Sequence, residues 1–392
     1  MFKKTIVGVL ALSFLMSSVS IPAYAAEDCV TSAITEKDIE SVMQEKVPNM
    51  LSVWENDPGC FGLTNDYVES SYLGKKFYIS DNEGNENKNV VYYPIIGDGD
   101  VRGILTLTKV DGEISINLST SFASKLNDVL HEVNSVSLFS CDDGIYACDG
   151  AGKTYDVSVN NGESDLSSIS ISDKEISRLK KADNISIQSL NSDAVSFNNL
   201  IDEENEISTY ASSGSTGKVL NKYVKVGQGN LNICWAATIA SMAKYKLPTK
   251  YGTLTAVGVC NKYGIELKGQ PNSVSCNYLN RLFLDGGSYY VAKCVDRPLT
   301  KEETIDNINN DRPIFLGATG LDSRGESKGH AVAVCGYYFA ESSSYCLRLM
   351  NPNLNDNEGG FELTNIPYSG NISFGGKNGS ILYHWTDSIV FD

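Results

Sequence analysis

Histidine is scarce in this chain: three in 392 residues, His131, His330 and His384. Few side chains can therefore move protons near neutral pH. No two cysteines stand as C-x-x-C, so the usual zinc spacing is missing. Beyond the N-terminal leader no stretch approaches the roughly 18–20 apolar residues of a membrane helix, and no membrane span is expected. Basic residues number 32 against 48 acidic ones, with no stripe of Lys and Arg to bind nucleic acid. Internal repeats and coiled-coil heptads are also missing, which sets aside solenoids and long helical assemblies. Nothing calls for a metal or a cofactor.

The chain opens MFKKTIVGVLALSFLMSSVSIPAYAAED. Two lysines, a short apolar stretch and the small-residue site Ala23-Tyr24-Ala25 read as a secretory signal over residues 1–25. A secreted or cell-surface-associated protein is expected. The formal charge of −16 is uneven. Residues 27–212 carry 33 acidic and 13 basic residues, whereas 213–392 carry 15 and 17. An acidic half and a near-neutral half point to two pieces with different tasks. Ten cysteines are present, and export permits disulfides among them.

After the leader, TEKDIESVMQEKVPNML has helical spacing, with Thr35 as cap and Ile39, Val42, Met43 and Val47 on one face. VVYYPIIG (90–97), GILTLTKV (103–110) and ISINLST (114–120) read as an antiparallel meander. SFASKLNDVLHEV (121–133) returns to helix, and CDDGIYAC with KTYDVSV forms a second small β region. A Cys141–Cys148 bridge is an open possibility there. Residues 26–184 are thus expected to be an acidic α+β domain. Residues 185–217, rich in Ser, Asn and acid, read as an exposed linker open to proteolytic nicking. Residues 218–392 form the last domain. It begins with a helix at Cys234 and continues with helix candidates at 272–283 and after Thr300. It closes with the apolar runs GHAVAVCGYYF (329–339) and SYCLRLMNPN (344–353), a hairpin candidate. The order again implies α+β. The loop NLNDNEGG (353–360) lacks the full spacing of a calcium loop and reads as a turn.

The chemistry centres on GQGNLNICWAA (227–237). A thiol is a strong nucleophile as thiolate, and a helix N-terminus beside an imidazolium favours that form. Cys234 stands at the start of an apolar helix. Of the three histidines, His131 lies in the acidic half and His384 near the C-terminus, while His330 opens an apolar strand after Gly329. With the hairpin turn near 340–341, His330 faces Asn351 and Cys335 faces Cys346, the two pairs on opposite faces of the sheet. Asn351 would then orient the imidazole, and Cys335 and Cys346 are either a disulfide or two buried thiols. Gln228, six residues before Cys234, can donate its amide to a developing oxyanion beside the Cys234 backbone N–H.

Gln, then six residues on Cys-Trp opening a helix, then Gly-His-Ala on a strand, then Asn-Pro: this order resembles the papain-like cysteine protease superfamily, in particular secreted bacterial members such as staphopain and streptopain. The resemblance covers roughly 219–392. It implies a Cys-bearing helix packed on an antiparallel sheet that carries His and Asn, preceded by a separate α+β pro-domain. It also implies Cys234 as nucleophile, His330 as base and then acid, Asn351 as orienter and Gln228 as oxyanion donor. The chain would be made as an inactive precursor, with its own pro-domain as intramolecular inhibitor and polypeptides as substrates, acting as a monomer. Maturation would cut within about 200–220. Two positions depart from the family pattern. Asn232-Ile233 precede the cysteine where small residues are common, and Asn353 stands where a tryptophan often shields the Asn–His contact, leaving Trp385 as substitute. The same site also suits a transglutaminase, acyltransferase or deamidase, and a silent binding protein is the non-enzymatic alternative.

Overall fold

The computed structural model describes residues 33–392 except 69, 82, 111, 142–143, 158–167, 170–183, 193–194, 198–216, 230, 322–326, 340–341, 343, 355–359, 367–369 and 375–381. The leader, most of the expected cleavage region and the 355–359 stretch of the acidic turn lie outside the described residues. The protein is α+β with antiparallel sheets. Among the described residues no helix is long and apolar enough to cross a membrane.

The first half begins with helices Glu36–Glu45 and Val47–Asn56. Thr35 caps the first one: its hydroxyl accepts from the Asp38 N–H while the Asp38 carboxylate takes the Thr35 N–H. Strands follow: β1 (Tyr72–Leu73), β2 (Val90–Gly97), β3 (Asp100–Val110) and β4 (Glu113–Ser119), the last three forming the expected meander. After the helix Ala123–Glu132 come β5 (Val136–Cys141), β6 (Gly144–Asp149), β7 (Thr154–Asp156), β8 (Ser168–Ile169) and β9 (Asn184–Ile185), which make a separate five-stranded sheet. The Cys141–Cys148 bridge is not formed. In the β5–β6 register Cys148 opposes Ser137 while Cys141 opposes Gly144, and Cys148 is a thiol.

The start of the expected linker is built into the fold. A short helix, Ile187–Asn191, buries Leu190, and β10 (Val195–Ser196) pairs with β1, with Phe197 buried behind it. The second half re-enters the described chain at β11 (Lys218–Val219). Helices Cys234–Lys246, Ala256–Tyr263 and Asn272–Asp285 follow, then β12 (Ala292–Val295) and the helix Lys301–Asn309, capped by Thr300 and Glu303. The chain ends in β13 (Ile314–Leu321), β14 (Ser327–Tyr338), β15 (Cys346–Met350), β16 (Phe361–Asn365), β17 (Asn371–Ser373) and β18 (Leu382–Phe391).

One large sheet joins the two halves, in the order β10-β1-β2-β3-β4-β16-β15-β14-β13-β18-β12. The junction is β4 against β16, with Leu118 opposite Leu363 and Asn117 opposite Thr364. The first half is thus not detached from the second. One apolar cluster mixes them, setting Met50, Trp54, Phe61 and Leu118 against Tyr338, Phe339, Cys346 and Leu363. Arg348 of β15 crosses the same boundary. Its Nε donates to the Cys60 carbonyl at 2.6 Å and its Nη2 to the Gly59 carbonyl at 3.3 Å. A second cluster packs the Cys234 helix and the Asn272 helix on the other end of the sheet.

Candidate active site

The Cys234 helix begins with Ile233 as its N-cap residue, and the Ile233 carbonyl accepts from the Ala236 and Ala237 N–H groups. Ile233 is fully buried, which accounts for an apolar residue directly before the cysteine. Cys234 is the first helical residue, half-buried and in no disulfide. N–H groups in a first turn have no helical acceptor, so the positive end of the helix lies at the sulfur. Trp235 is buried beside it, its Nε1 donating to the Lys268 carbonyl at 2.9 Å. One turn after Cys234, Thr238 donates its hydroxyl to the Ala331 carbonyl at 3.0 Å. That bond fastens the helix to β14 beside His330, because residues four apart share a helix face.

His330 is buried, with its Nε2 3.0 Å from Oδ1 of Asn351. The pair forms as expected, but not in the expected register. Ala333 pairs with Met350 and Val334 with Leu349, so β15 is displaced by two residues from the arrangement that sets His330 directly opposite Asn351. A shift of two keeps every side chain on its face, and Asn351 reaches His330 as a diagonal neighbour. The ladder then slips at a bulge between Val334 and Gly336, and Tyr338 takes the place opposite Cys346. Cys335 therefore lies three residues from the position opposite Cys346, and its Sγ instead meets Nη1 of Arg348 at 3.2 Å. Both cysteines are thiols, and no Cys335–Cys346 disulfide exists. Burial pushes the thiol pKa of both above the ordinary value.

Asn351 is held from every side. Its backbone N–H donates to the Gly360 carbonyl at 3.1 Å, and its Oδ1 accepts the Asn353 N–H at 3.0 Å. Its Nδ2 donates to Oε1 of Glu362 at 3.2 Å. A carboxylate facing the amide fixes which end is nitrogen, so Oδ1 is the end at the imidazole. An acceptor there places a proton on His330 Nε2 and leaves Nδ1 as the nitrogen able to exchange a proton with a thiol. The shield over this contact is aromatic but is not Trp385. Phe374 meets the His330 ring edge-on at 5.0 Å and Tyr383 lies at 5.9 Å. Trp385 sits opposite Ala318, one strand beyond, with its Nε1 bound to Asp387 and Ser388. Asn353, at the position where a tryptophan was absent, instead serves Asn351 through its backbone.

Gln228 is buried on the loop before the helix, and its backbone N–H donates to the Pro352 carbonyl at 3.1 Å. That bond ties the Gln228 loop to the turn carrying Asn351. The amide Nε2 donates to the Leu231 carbonyl at 2.6 Å, and Oε1 has no hydrogen-bond partner among the described residues. A primary amide has two N–H donors, so one is committed to the loop. His131, by contrast, is exposed in the first half and pairs with Asp100 at 2.8 Å. Glu362, Phe374, Tyr383 and Asn353 were not anticipated in their roles. No group of metal-ligating side chains occurs among the described residues. No protein-family model matches the chain, and no curated protein matches it.

Proposed function

We propose that the protein is a secreted cysteine endopeptidase of papain-like architecture, made as a precursor whose N-terminal half is removed by cleavage within about 200–220. The observation that carries this reading is the buried His330–Asn351 contact, 3.0 Å long and shielded by Phe374, on the strand to which the Cys234 helix is bonded. The Cys234 sulfur, as thiolate paired with the His330 imidazolium, attacks a peptide carbonyl. A C–S bond forms, and the carbonyl electron pair moves to oxygen. The Cys234 N–H and the Gln228 amide hold that oxyanion. Its collapse breaks the C–N bond while His330 hands its proton to the leaving amine. Water, deprotonated by His330, then attacks the thioester and releases the acid and the thiolate. Asn351 keeps the imidazole in its plane throughout.

The test is mass analysis of secreted wild-type protein beside Cys234→Ala, with peptide hydrolysis measured on both. Hydrolysis and a mature fragment in the wild type alone are expected. Hydrolysis retained by Cys234→Ala would refute the reading. Incorporation of an amine in place of water would assign the site to acyl transfer instead.

A further inference from the structure

A row of polar side chains steps across four neighbouring strands beneath the site. Asn117 on β4 donates its Nδ2 to Oε2 of Glu362 on β16 at 3.0 Å, and also to Oγ1 of Thr364 at 2.8 Å. Glu362 accepts from Asn351 at 3.2 Å, and Asn351 accepts from His330. Glu362 pairs with Leu349 and Ser119, whereas Asn117 pairs with Thr364. Each step is therefore a diagonal, i to j±2 neighbour on one face of the sheet. Asn117, Glu362 and Asn351 are completely or almost completely buried, and the apolar cluster shared by the halves lies on the opposite face.

Burying a carboxylate costs several kcal/mol unless hydrogen bonds repay it. A sheet that needed only to close could place an apolar residue at 362, as it does at Leu363 and Phe361. The carboxylate has one property that an apolar side chain or a neutral amide lacks here: both of its oxygens accept. It can therefore receive an N–H from Asn351 on one side and from Asn117 on the other. By demanding the N–H end of Asn351, it turns the oxygen end toward His330.

We propose that Glu362 is a positioning residue of the reaction and that Asn117, in the N-terminal half, holds it in place. The inference rests on the peptidase reading above. In the uncleaved chain the N-terminal half then supplies part of the support of the site, through β4 paired with β16.

The experiment uses the full chain and the pseudo-first-order rate at which iodoacetamide alkylates Cys234 at pH 6.5, located by peptide mass mapping. Glu362→Gln places an amide N–H against one of its two donors. It is expected to slow alkylation about tenfold, the effect of one charge-assisted hydrogen bond. Asn117→Asp combined with Glu362→Gln restores complementarity, since Gln Oε1 accepts from Asn351 while its Nε2 donates to the new carboxylate. This double variant is expected to recover to within about threefold of wild type. A merely structural role would show no such recovery. Glu362→Gln reacting at the wild-type rate, or a double variant as slow as the single, overturns the proposal. If Glu362→Gln does not fold, the double variant and Asn117→Ala decide. Wild-type-like reactivity of the first with slowing of the second supports the proposal, and any other pairing overturns it. Failure of the peptidase reading is distinct: wild-type Cys234 itself would then react as slowly as an ordinary thiol.

Discussion

Replacing Asn351 with alanine removes three contacts at once: the acceptor for His330, the acceptor for the Asn353 N–H, and one donor to Glu362. The kinetic cost comes from the first. A hydrogen bond that holds a charged imidazolium is worth about 1.5–3 kcal/mol. At about 1.4 kcal/mol per decade, kcat/KM for a peptide should fall about 10- to 150-fold. The fall should be mostly in kcat, because Asn351 is fully buried behind the imidazole and meets no substrate. The other two contacts are structural. Leaving a buried donor and part of a carboxylate unserved should lower unfolding free energy by about 1–3 kcal/mol, read from urea denaturation. The assay is steady-state hydrolysis of a fluorogenic peptide, with active sites counted by a thiol-directed titrant. A kcat/KM within threefold of wild type, in a variant whose urea midpoint has shifted, would refute the assignment of Asn351 as orienter.

Three further outcomes follow from the geometry. Gly103 lies where a Cβ would stand 2.6 Å from Cη2 of buried Trp54, so Gly103→Ala should destabilise by about 1–3 kcal/mol, and adding Trp54→Phe should recover part of the loss in urea melts. The Glu303 carboxylate is gripped by Arg297 through two 2.7 Å bonds and accepts the Thr300 N–H, which holds its pKa down at about 2. Its folded value is depressed, so its contribution is present above the unfolded value of 4.5 and is lost as pH falls toward 2. Glu303→Gln should therefore flatten the fall of stability across that window, and an unchanged slope would contradict the pairing. Cys294 is exposed, yet burial of its sulfur, its neighbour Cys276 and the Asp296 and Asp387 carboxylates push its pKa up to about 12. Iodoacetamide near neutral pH should modify half-buried Cys234 before Cys294 in peptide maps.

Much of the site was legible from sequence because a strand has period two. The expected register was wrong by two residues, and a slip of two leaves His330 and Asn351 on the same face within reach. Of the two alternatives for Cys335 and Cys346 the structure has the buried thiols: the register shift together with the bulge's extra residue sets Tyr338, not Cys335, opposite Cys346. The meander strands were readable from alternation and Gly/Asp turns, since β2 spans Val90–Gly97 as expected. Glu362 was invisible for a different reason. In FELTN it reads as the solvent-facing member of a half-buried strand, and only pairing with β4 buries it, through contacts 245 residues apart in the chain. The continuity of the two halves was hidden in the same way. Leu190 and Phe197 sit in a Ser- and Asn-rich stretch whose composition suggests a linker, yet each finds an apolar surface built from distant strands.

The central claim is that Cys234 is a nucleophile activated by His330. It is tested most directly by incubating the protein, as the uncleaved chain and as any mature fragment it yields, with iodoacetamide, a reagent small enough to need no open substrate cleft, near pH 6.5 and locating the first adduct by mass spectrometry. The account predicts that the first adduct is on Cys234 in the wild type and that this preference is lost in a folded His330→Ala variant. An unmodified Cys234 in the wild type, or equal labelling in both proteins, would contradict it.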